Sequence, residues 1–353
     1  MRMMKAVVLE APEKLTYKDM PVPQIGAGEA LIKVKYCGIC GSDWGSYTGK
    51  YADEVACIPL STGHEFWGVI DEIGPNALGF KAGDRVAVDI CMACGTCYHC
   101  RRGEQLLCSA FSQIGIHVDG AYAEYVKAPI SNLYKLPEEI DDHSAAFIEP
   151  LTACINASRK MNCELGSSVV VIGAGLGIIH ACLAKLRGAA PVIVVDAHKG
   201  RLEMAKKMAA DYVIDITETP DAVAEVMKLT GGVGADYVIE AVGSSKTYEQ
   251  AFQMLRRGGK LEAFGICSDE DMASLPPAQF VLHEKKVGGS CAGIGHDWEV
   301  AIALLQYKRI DPKPLISMIV PLHELQTALH ELQKNKSLVK VLVCPEIDER
   351  IVL

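Results

Sequence analysis

The chain of 353 residues is half apolar and carries a net charge of −9. This length usually exceeds what one hydrophobic core organises, so we expect two domains, and the apolar fraction excludes a disordered chain. Acidic and basic residues are interspersed rather than grouped in blocks, which argues against a nucleic-acid or membrane partner.

Three features of the sequence predict a cytoplasmic protein. The first residues, Met-Arg-Met-Met-Lys-Ala-Val-Val, contain no long apolar segment of the kind found in signal peptides. The most apolar run, residues 169–186, is interrupted by glycines, His180 and Lys185, which predicts a buried strand and helix rather than a membrane span. Fourteen cysteines without a secretory signal predict a reducing compartment, in which most thiols are packed or bound to metal.

The first half of the chain, from Lys5 to about Val126, has the pattern of a small β barrel or sandwich. Apolar residues alternate with polar ones in two segments, at Ile32, Val34 and Tyr36 and again at Val86, Val88 and Ile90. Glycine or proline interrupts the pattern about every ten residues, which predicts short strands joined by turns.

Four cysteines in this half predict a structural zinc site. Cys94, Cys97, Cys100 and Cys108 have the spacing C-x2-C-x2-C-x7-C, which lets one loop place four thiolates around a tetrahedral Zn²⁺. Disulfides are the alternative, but they require an oxidising compartment. A redox or iron–sulfur role of the same thiols is a further alternative. Cys91 extends the series by one more step and is an alternative ligand.

A second group of residues predicts a catalytic zinc site with an open position. Such a site takes three ligands from cysteine, histidine and carboxylate, and here they are Cys40, His64 and either Glu65 or Glu149. Asp43 is suited to accept the other ring N–H of His64. Ser42, two residues after the cysteine, is suited to accept a proton from a bound hydroxyl.

The middle of the chain predicts a dinucleotide-binding fold. Residues 169–172 form an apolar strand, a glycine turn and a helical run follow, and a second strand ends on Asp196. Gly173 would make the tight turn, and Gly175 would let backbone N–H groups approach a pyrophosphate at the helix N-terminus. Asp196 would bind the adenosine ribose and repel a 2′-phosphate, which favours NAD⁺ over NADP⁺.

The glycine turn is irregular, because the regular spacing puts its third glycine at Ile178 whereas this chain has Leu176 followed by Gly177. The simplest interpretation is a one-residue deletion. Further strands are predicted at 212–214, 237–240 and 260–264 and near Val287, with one helix opening at Thr219–Pro220, so that six strands form a doubly wound parallel sheet. Additional cofactor-binding candidates are Arg201, Val242, Gly265 and Ile266.

The last sixty residues have a pattern that differs from that of the middle of the chain. Residues 298–307 and 322–332 are predicted as amphipathic helices, and residues 338–343 as a final strand.

Together these motifs resemble the zinc-containing medium-chain alcohol and polyol dehydrogenases over essentially the whole chain. The family signature G-H-E-x2-G-x5-G is matched by Gly63, His64, Glu65, Gly68 and Gly74, and the four-cysteine loop and the segment C-G-I-C-G-S-D match as well. The resemblance implies a GroES-like β-rich catalytic domain, residues 1–150 and 291–353, and a Rossmann NAD-binding domain, residues 151–290. It also implies two zinc ions per chain and a homodimer or homotetramer.

Carried over to this chain, the family's catalytic zinc ligands are Cys40, His64 and Glu149, where glutamate is similar to the sorbitol and threonine dehydrogenase branches. In those branches the glutamate of the signature, Glu65, also approaches the metal. Gly45 stands where many relatives have a proton-relay histidine, so that water, the cofactor ribose or another side chain would carry the proton beyond Ser42. Ala292 stands where sorbitol dehydrogenases carry an arginine, which lowers the expectation for sorbitol itself.

The function predicted from the sequence is the reversible, NAD-linked oxidation of a secondary alcohol to a ketone, the substrate being a polyol, sugar alcohol or vicinal diol. Oxidation of an amino alcohol, as in L-threonine 3-dehydrogenases, is the first alternative. A zinc- and nucleotide-binding protein without turnover is the second. A zinc-free reductase of the quinone or enoyl type would lack both metal motifs, so the sequence argues against it.

Overall fold

The computed structural model describes residues 2–50, 57–268 and 270–353. These residues form two compact units. Unit 1 comprises Met1–Thr152 and Ala292–Leu353, and unit 2 comprises Ala153–Cys291.

Unit 1 is built mainly of β-strands, as predicted. Met3–Ala11 and Lys14–Pro21 form an antiparallel hairpin. The described residues also form a larger sheet with the strand order Ile351–Val352, Ile316–Pro321, Lys340–Cys344, Glu29–Gly38, Glu65–Ile73, Arg85–Val88 and Leu133–Lys135, with Tyr125–Pro129 paired to Glu29–Gly38. A short pair, Cys91–Met92 with Ser112–Gln113, lies outside this sheet.

The core of unit 1 lies against the central strands of this sheet. Ile32 and Val34 on Glu29–Gly38 pack with Ile70 and Val126, and all four are at most 2% exposed. The predicted alternation at residues 86–90 was wrong in two respects. The strand ends at Val88, before Ile90, and Ala87 is as buried as its neighbours because both faces of the strand are covered.

The helices of unit 1 differ from the predictions at their ends. Within the described part of the unit they are Gly41–Thr48, Asp142–Ala145, His296–Gln306, Leu325–Lys334 and the start of Ile148–Met161, with 3-10 turns at Cys100–Arg102, Gln105–Leu107, Ile130–Asn132, Lys313–Leu315 and Leu322–Glu324. On the apolar face of the second predicted helix, Leu322, Leu325 and Leu329 are buried. The α-helix itself begins only at Leu325, because Leu322–Glu324 forms a separate 3-10 turn. Gly41–Thr48 was not predicted.

Unit 2 contains the predicted doubly wound sheet. Its six described strands are all parallel, in the order Tyr212–Asp215, Val192–Asp196, Val169–Ile172, Ala235–Glu240, Leu255–Ala263 and Lys286–Gly289. In sequence order this is 3-2-1-4-5-6, the order of dinucleotide-binding folds. The order reverses next to Val169–Ile172, where a ligand is expected at the carboxyl ends of the strands.

The strands of unit 2 alternate with the helices Gly177–Leu186, Lys199–Met208, Ala222–Leu229, Ser245–Met254 and Pro277–Leu282. The helix predicted to open at Thr219–Pro220 begins at Ala222 instead, because the side chain of Asp221 accepts a hydrogen bond from the Ala224 N–H and caps the helix there. Among the described helices of the chain, none combines the length and the apolarity needed to cross a bilayer.

Candidate metal centres and dinucleotide site

The four predicted cysteines of the zinc loop converge on one point. The Sγ atoms of Cys94, Cys97, Cys100 and Cys108 all lie within 4.8 Å of one another, and all four cysteines are free thiols. The Cys94 and Cys100 sulfurs are 4.0 Å apart, and the Cys97 and Cys108 sulfurs 3.8 Å apart. Sulfurs that bind a tetrahedral Zn²⁺ at about 2.3 Å are about 3.8 Å from one another, so the group fits this metal.

Hydrogen bonds from the backbone and from neighbouring side chains lower the pKa of Cys94 and Cys97, whereas burial raises the pKa of Cys100 to about 12. The Cys94 and Ala110 N–H groups donate to the Cys108 sulfur at 3.3 Å, and the Cys97 N–H donates to the Cys94 sulfur at 3.4 Å. The backbone N–H of Cys100 is the largest of the contacts that lower the pKa of Cys97 to about 5. The donors around Cys94 and Cys97 stabilise their thiolates, which are the form that binds zinc.

Cys91, the alternative ligand, lies apart from this group. It belongs to the strand Cys91–Met92, and its sulfur is 3.8 Å from Nε2 of Gln113.

Cys40, His64 and Glu65 form a second group whose potential ligand atoms all lie within 4.8 Å of one another. Cys40 occupies the N-cap position of the helix Gly41–Thr48, and His64 directly precedes the strand that begins at Glu65. His64 and Glu65 are 5% and 1% exposed. A thiol, an imidazole and a carboxylate in one buried cluster are the donor set of a catalytic zinc site, so these residues fit the metal.

Glu149, the other carboxylate considered, is buried nearby but lies outside the group of three. It stands in the first turn of Ile148–Met161 and is 8% exposed. Burial raises its pKa to about 7, with Glu65 adding to the rise and His64 opposing it. The structure therefore brings Glu65 closer to Cys40 and His64 than Glu149.

Asp43 neighbours His64, but the predicted hydrogen bond to the ring is not formed. Asp43 Oδ1 lies 3.7 Å from His64 Nδ1, longer than a hydrogen bond, and this nitrogen has no hydrogen-bond partner among the described residues. The other oxygen, Oδ2, accepts from the Cys40 N–H at 2.7 Å and from the Tyr122 hydroxyl at 2.7 Å. Asp43 thus fixes the backbone at Cys40.

The charges around His64 favour its protonated form when no metal is bound. Burial alone lowers the pKa of His64, but the Cys40 sulfur, Asp43 and Glu149 together raise it well above its usual value. A metal ion would take the place of that proton.

Lys340 is a member of this cluster that the sequence analysis missed. Its ammonium donates to Glu65 Oε2 at 2.5 Å and to the Ile39 carbonyl at 3.1 Å, and the residue is 7% exposed. The sequence contained a signal, because Lys340 interrupts the apolar run Leu338–Cys344, where a solvated lysine is not expected. Tyr122 was also missed.

Ser42 lies in the first turn of Gly41–Thr48, two residues after Cys40, and is partly buried. Its carbonyl accepts a hydrogen bond from the Ser46 hydroxyl at 3.1 Å.

The glycine turn of unit 2 follows the strand Val169–Ile172. Gly173 has φ +100°, and a Cβ there would lie 2.8 Å from Cγ2 of Val242, so only glycine fits. A Cβ at Gly177 would lie 2.9 Å from Cγ1 of Val171, so Gly177 provides the close helix–strand packing usually given by the third glycine. At Gly175 the closest atom to such a Cβ is an Arg201 nitrogen at 3.7 Å, which leaves the backbone approachable.

Asp196 ends its strand beside this turn. Its Oδ2 accepts from the Ala174 N–H at 2.6 Å, and its Oδ1 accepts from the His198 N–H at 2.8 Å. Burial lowers the pKa of Arg201, and the nearby Asp196 carboxylate partly opposes this decrease. Leu176 precedes the helix Gly177–Leu186, which no side chain caps. The turn, the helix end and the acid therefore fit a dinucleotide.

The remaining cofactor candidates follow the next two strands of the sheet. Val242 and Ile266 are large apolar residues that are 53% and 58% exposed. Gly265 packs against Gly243, because a Cβ at Gly265 would lie 2.2 Å from the Gly243 nitrogen.

Comparison with known proteins places the whole chain in one family. The alcohol dehydrogenase GroES-like domain matches residues 26–138, and the family described as zinc-binding dehydrogenase matches residues 175–307. Sorbitol dehydrogenase from Halalkalibacterium halodurans is 35% identical over 331 residues, which cover 93% of this chain and 95% of that protein. L-threonine 3-dehydrogenase from Pyrococcus horikoshii is 39% identical over 250 residues, covering 70% and 71%.

A crystal structure described as a zinc-binding dehydrogenase from Sinorhizobium meliloti, bound to NADP, has a TM-score of 0.90 and 30% identity. It covers 98% of this chain and 100% of the other. The chain belongs to the zinc-containing medium-chain alcohol and polyol dehydrogenases.

Proposed function

We propose that this enzyme catalyses the reversible NAD⁺-linked oxidation of a secondary alcohol group of a polyol to the ketone. The observation that carries the proposal is the buried cluster of Cys40, His64 and Glu65, with ligand atoms within 4.8 Å of one another, in a chain that also has a dinucleotide-binding unit. Sorbitol dehydrogenase among the relatives supports a polyol as substrate.

Bound zinc supplies a Lewis acid for the alcohol oxygen, and bound NAD⁺ supplies the acceptor for the hydride. Cys40 and His64 hold the metal, and Glu65 and Glu149 share the third ligand position. Lys340 orients Glu65 through its hydrogen bond to Oε2. Ser42 accepts the alcohol proton from its position two residues after Cys40.

In unit 2 the glycine turn holds the pyrophosphate at the start of Gly177–Leu186, and Asp196 binds the adenosine ribose. Its carboxylate would repel a 2′-phosphate, which supports a preference for NAD⁺, although a structural relative binds NADP. The ratio of kcat/KM for the two cofactors measures this preference.

The metal assignment is tested by replacing Cys40 or His64 by alanine. Turnover with a polyol panel should be lost and zinc content should fall by one per chain, whereas NADH binding should survive because unit 2 is unchanged. Cys37→Ala is the matched control, since Cys37 is buried in the same short segment and its sulfur does not belong to the group of ligand atoms. Full activity of either alanine variant would refute the assignment.

The two carboxylates are distinguished by Glu65→Gln and Glu149→Gln. If they share the ligand position, each variant keeps part of its zinc affinity and the double variant loses the catalytic zinc. If a single variant alone removes that zinc, the other carboxylate is not a ligand.

Oxidation of an amino alcohol is the second candidate, favoured by the 39% identity to an L-threonine 3-dehydrogenase. Parallel assays with L-threonine, sorbitol, xylitol and 2,3-butanediol separate the two candidates. A chain that binds zinc and NADH but oxidises none of these compounds would instead support binding without turnover.

We also propose that the enzyme works in the cytoplasm as a homodimer or homotetramer. Fourteen cysteines, none of them joined in a disulfide among the described residues, support a reducing compartment. Lys286–Gly289 is an edge strand of the described unit 2 sheet, and Val281 and Leu282 nearby in the sequence are 77% and 74% exposed, which supports association between copies. Light scattering of the purified protein measures the assembly.

A further inference from the structure

One loop at the carboxyl edge of the unit 2 sheet is held by a buried carboxylate that contacts no solvent. Glu240 ends the strand Ala235–Glu240 and is 0% exposed. Its Oε1 accepts from the Val242 N–H at 2.9 Å and from the Gly243 N–H at 3.0 Å. The Thr247 hydroxyl donates to the same oxygen at 2.7 Å. The carboxylate thus fixes the loop that follows its own strand.

Glu240 also fixes the loop that follows the neighbouring strand. Its backbone carbonyl accepts from the Phe264 N–H at 3.0 Å and from the Gly265 N–H at 2.8 Å. The Tyr248 hydroxyl donates to the Gly265 carbonyl at 2.6 Å, which holds the second loop from the other side. The two loops are in direct contact, because a Cβ at Gly243 would lie 2.5 Å from the Ile266 carbonyl oxygen.

The first of these loops packs against the glycine turn. The Ala241 N–H donates to the Ile172 carbonyl at 2.9 Å, and a Cβ at Gly173 would meet both Ala241 and Val242. The three loops therefore form one connected edge at the point where the strand order reverses. The exposed side chains on it, Val242 and Ile266, are apolar and suit the face of a flat heteroaromatic ring.

We infer that Glu240 is a positioning residue for the dinucleotide, holding Val242 and Ile266 where the nicotinamide half of the cofactor docks. The inference rests on the proposed function, since it requires the cofactor to bind at this edge. Glu240 itself touches no cofactor. Its carboxylate removes the conformational freedom of the first loop, against which the second loop packs, so that binding does not have to order them.

The inference is tested with Glu240→Gln, which keeps the shape of the side chain but turns one carboxylate oxygen into an NH₂ group. That group would face the Gly243 N–H, which lies 3.2 Å from Oε2. We expect the Kd for NADH and the KM for NAD⁺ to rise about tenfold, the effect of one hydrogen bond at the upper end of its ordinary net strength. The KM for the alcohol should not change, because the metal cluster lies in unit 1.

A purely structural role of Glu240 would give a different pattern. It would reduce the fraction of folded enzyme and therefore Vmax, with the KM for NAD⁺ unchanged. Tyr248→Phe removes only the hydroxyl that holds the Gly265 carbonyl. Tyr248→Phe should raise the Kd for NADH about threefold to tenfold. If Glu240→Gln does not fold, the Kd of Tyr248→Phe tests whether the two loops position the dinucleotide.

Glu262→Gln is the matched control. Glu262 is also 0% exposed and lies on the adjacent strand, but its carboxylate neighbours Ser290 and Lys260 and holds neither of the two loops. Its Kd for NADH should equal that of the wild type. An equal weakening in this control would overturn the inference, because the effect would then come from any buried carboxylate in the sheet.

The wild-type holoenzyme separates failure of the inference from failure of the proposed function. If the wild type binds NADH and oxidises an alcohol while folded Glu240→Gln and Tyr248→Phe bind NADH equally well, the inference alone is overturned. If the wild type binds no NADH, the proposed function fails and the inference fails with it.

Discussion

Removing the ammonium of Lys340 should destabilise unit 1 strongly. In Lys340→Met the side chain keeps its approximate length but no longer donates to Glu65 Oε2, 2.5 Å away, or to the Ile39 carbonyl. The carboxylate of Glu65 remains in place, 1% exposed, without its cation. A buried charge without its partner is unfavourable.

The magnitude follows from the burial of both partners. The Lys340 and Glu65 side chains are 9% and 2% exposed, so the pair belongs to the class in which loss of one partner costs about 3–5 kcal/mol. For a unit of this size each kcal/mol shifts the melting temperature by about 2–4 °C, so the expected decrease is about 6–20 °C. The matched control is Lys127→Met, whose partner Glu29 lies 3.1 Å away in a pair that is 49% and 32% exposed. An exposed pair of this kind contributes only about 0–1 kcal/mol.

Tryptophan fluorescence is a suitable probe because the three tryptophans, Trp44, Trp67 and Trp298, all belong to unit 1. Thermal unfolding of the wild type and both variants is followed in the presence of a chelator, so that no metal ion offers Glu65 a new partner. If the melting temperature of Lys340→Met falls no further than that of Lys127→Met, the assignment of a buried ion pair is refuted.

Three further outcomes follow from the structure. Cys100→Ser should lower the zinc content by one ion per chain in a metal analysis, whereas Cys91→Ser should leave it unchanged, since only Cys100 belongs to the four-sulfur group. Gly173→Ala forces an alanine to φ +100° against a neighbouring side chain, which should lower the free energy of unfolding by about 1–3 kcal/mol in calorimetry and weaken NADH binding. Gly175→Ala should have smaller effects on both, because its added Cβ meets no atom closer than 3.7 Å. Asp196→Ser should reduce the preference for NAD⁺ over NADP⁺, measured as a ratio of kcat/KM values, by about tenfold or more, and an unchanged ratio would contradict the role of the carboxylate.

The fold class was predictable because it depends on short-range patterns. The apolar run at residues 169–172, the glycine turn and the acid at position 196 lie within thirty residues of one another and define a strand, a turn, a helix and a second strand. Their prediction as a dinucleotide-binding unit is confirmed by the strand order and by the family match. The irregular spacing of the turn did not disturb the fold, because Gly177 packs against Val171 as the third glycine normally does.

The ends of the elements were less predictable because side-chain contacts decide them. Asp221 caps a helix that the sequence pattern extended back to Thr219, and a 3-10 turn at Leu322–Glu324 delays another helix to Leu325. Such choices depend on local hydrogen bonds that hydrophobic periodicity does not encode.

By itself the sequence determined the residue types for two metal centres and a dinucleotide turn, because those residues stand at spacings that their chemistry requires. It left two carboxylates, Glu65 and Glu149, as equal candidates and gave no role to Lys340. Only the tertiary structure brought Glu65 into the group with Cys40 and His64 and placed Lys340, 275 residues further along the chain, against it. The reason is physical: a buried charge is tolerated only where its partner also lies, and antiparallel strand pairing, not sequence distance, decides which residues meet.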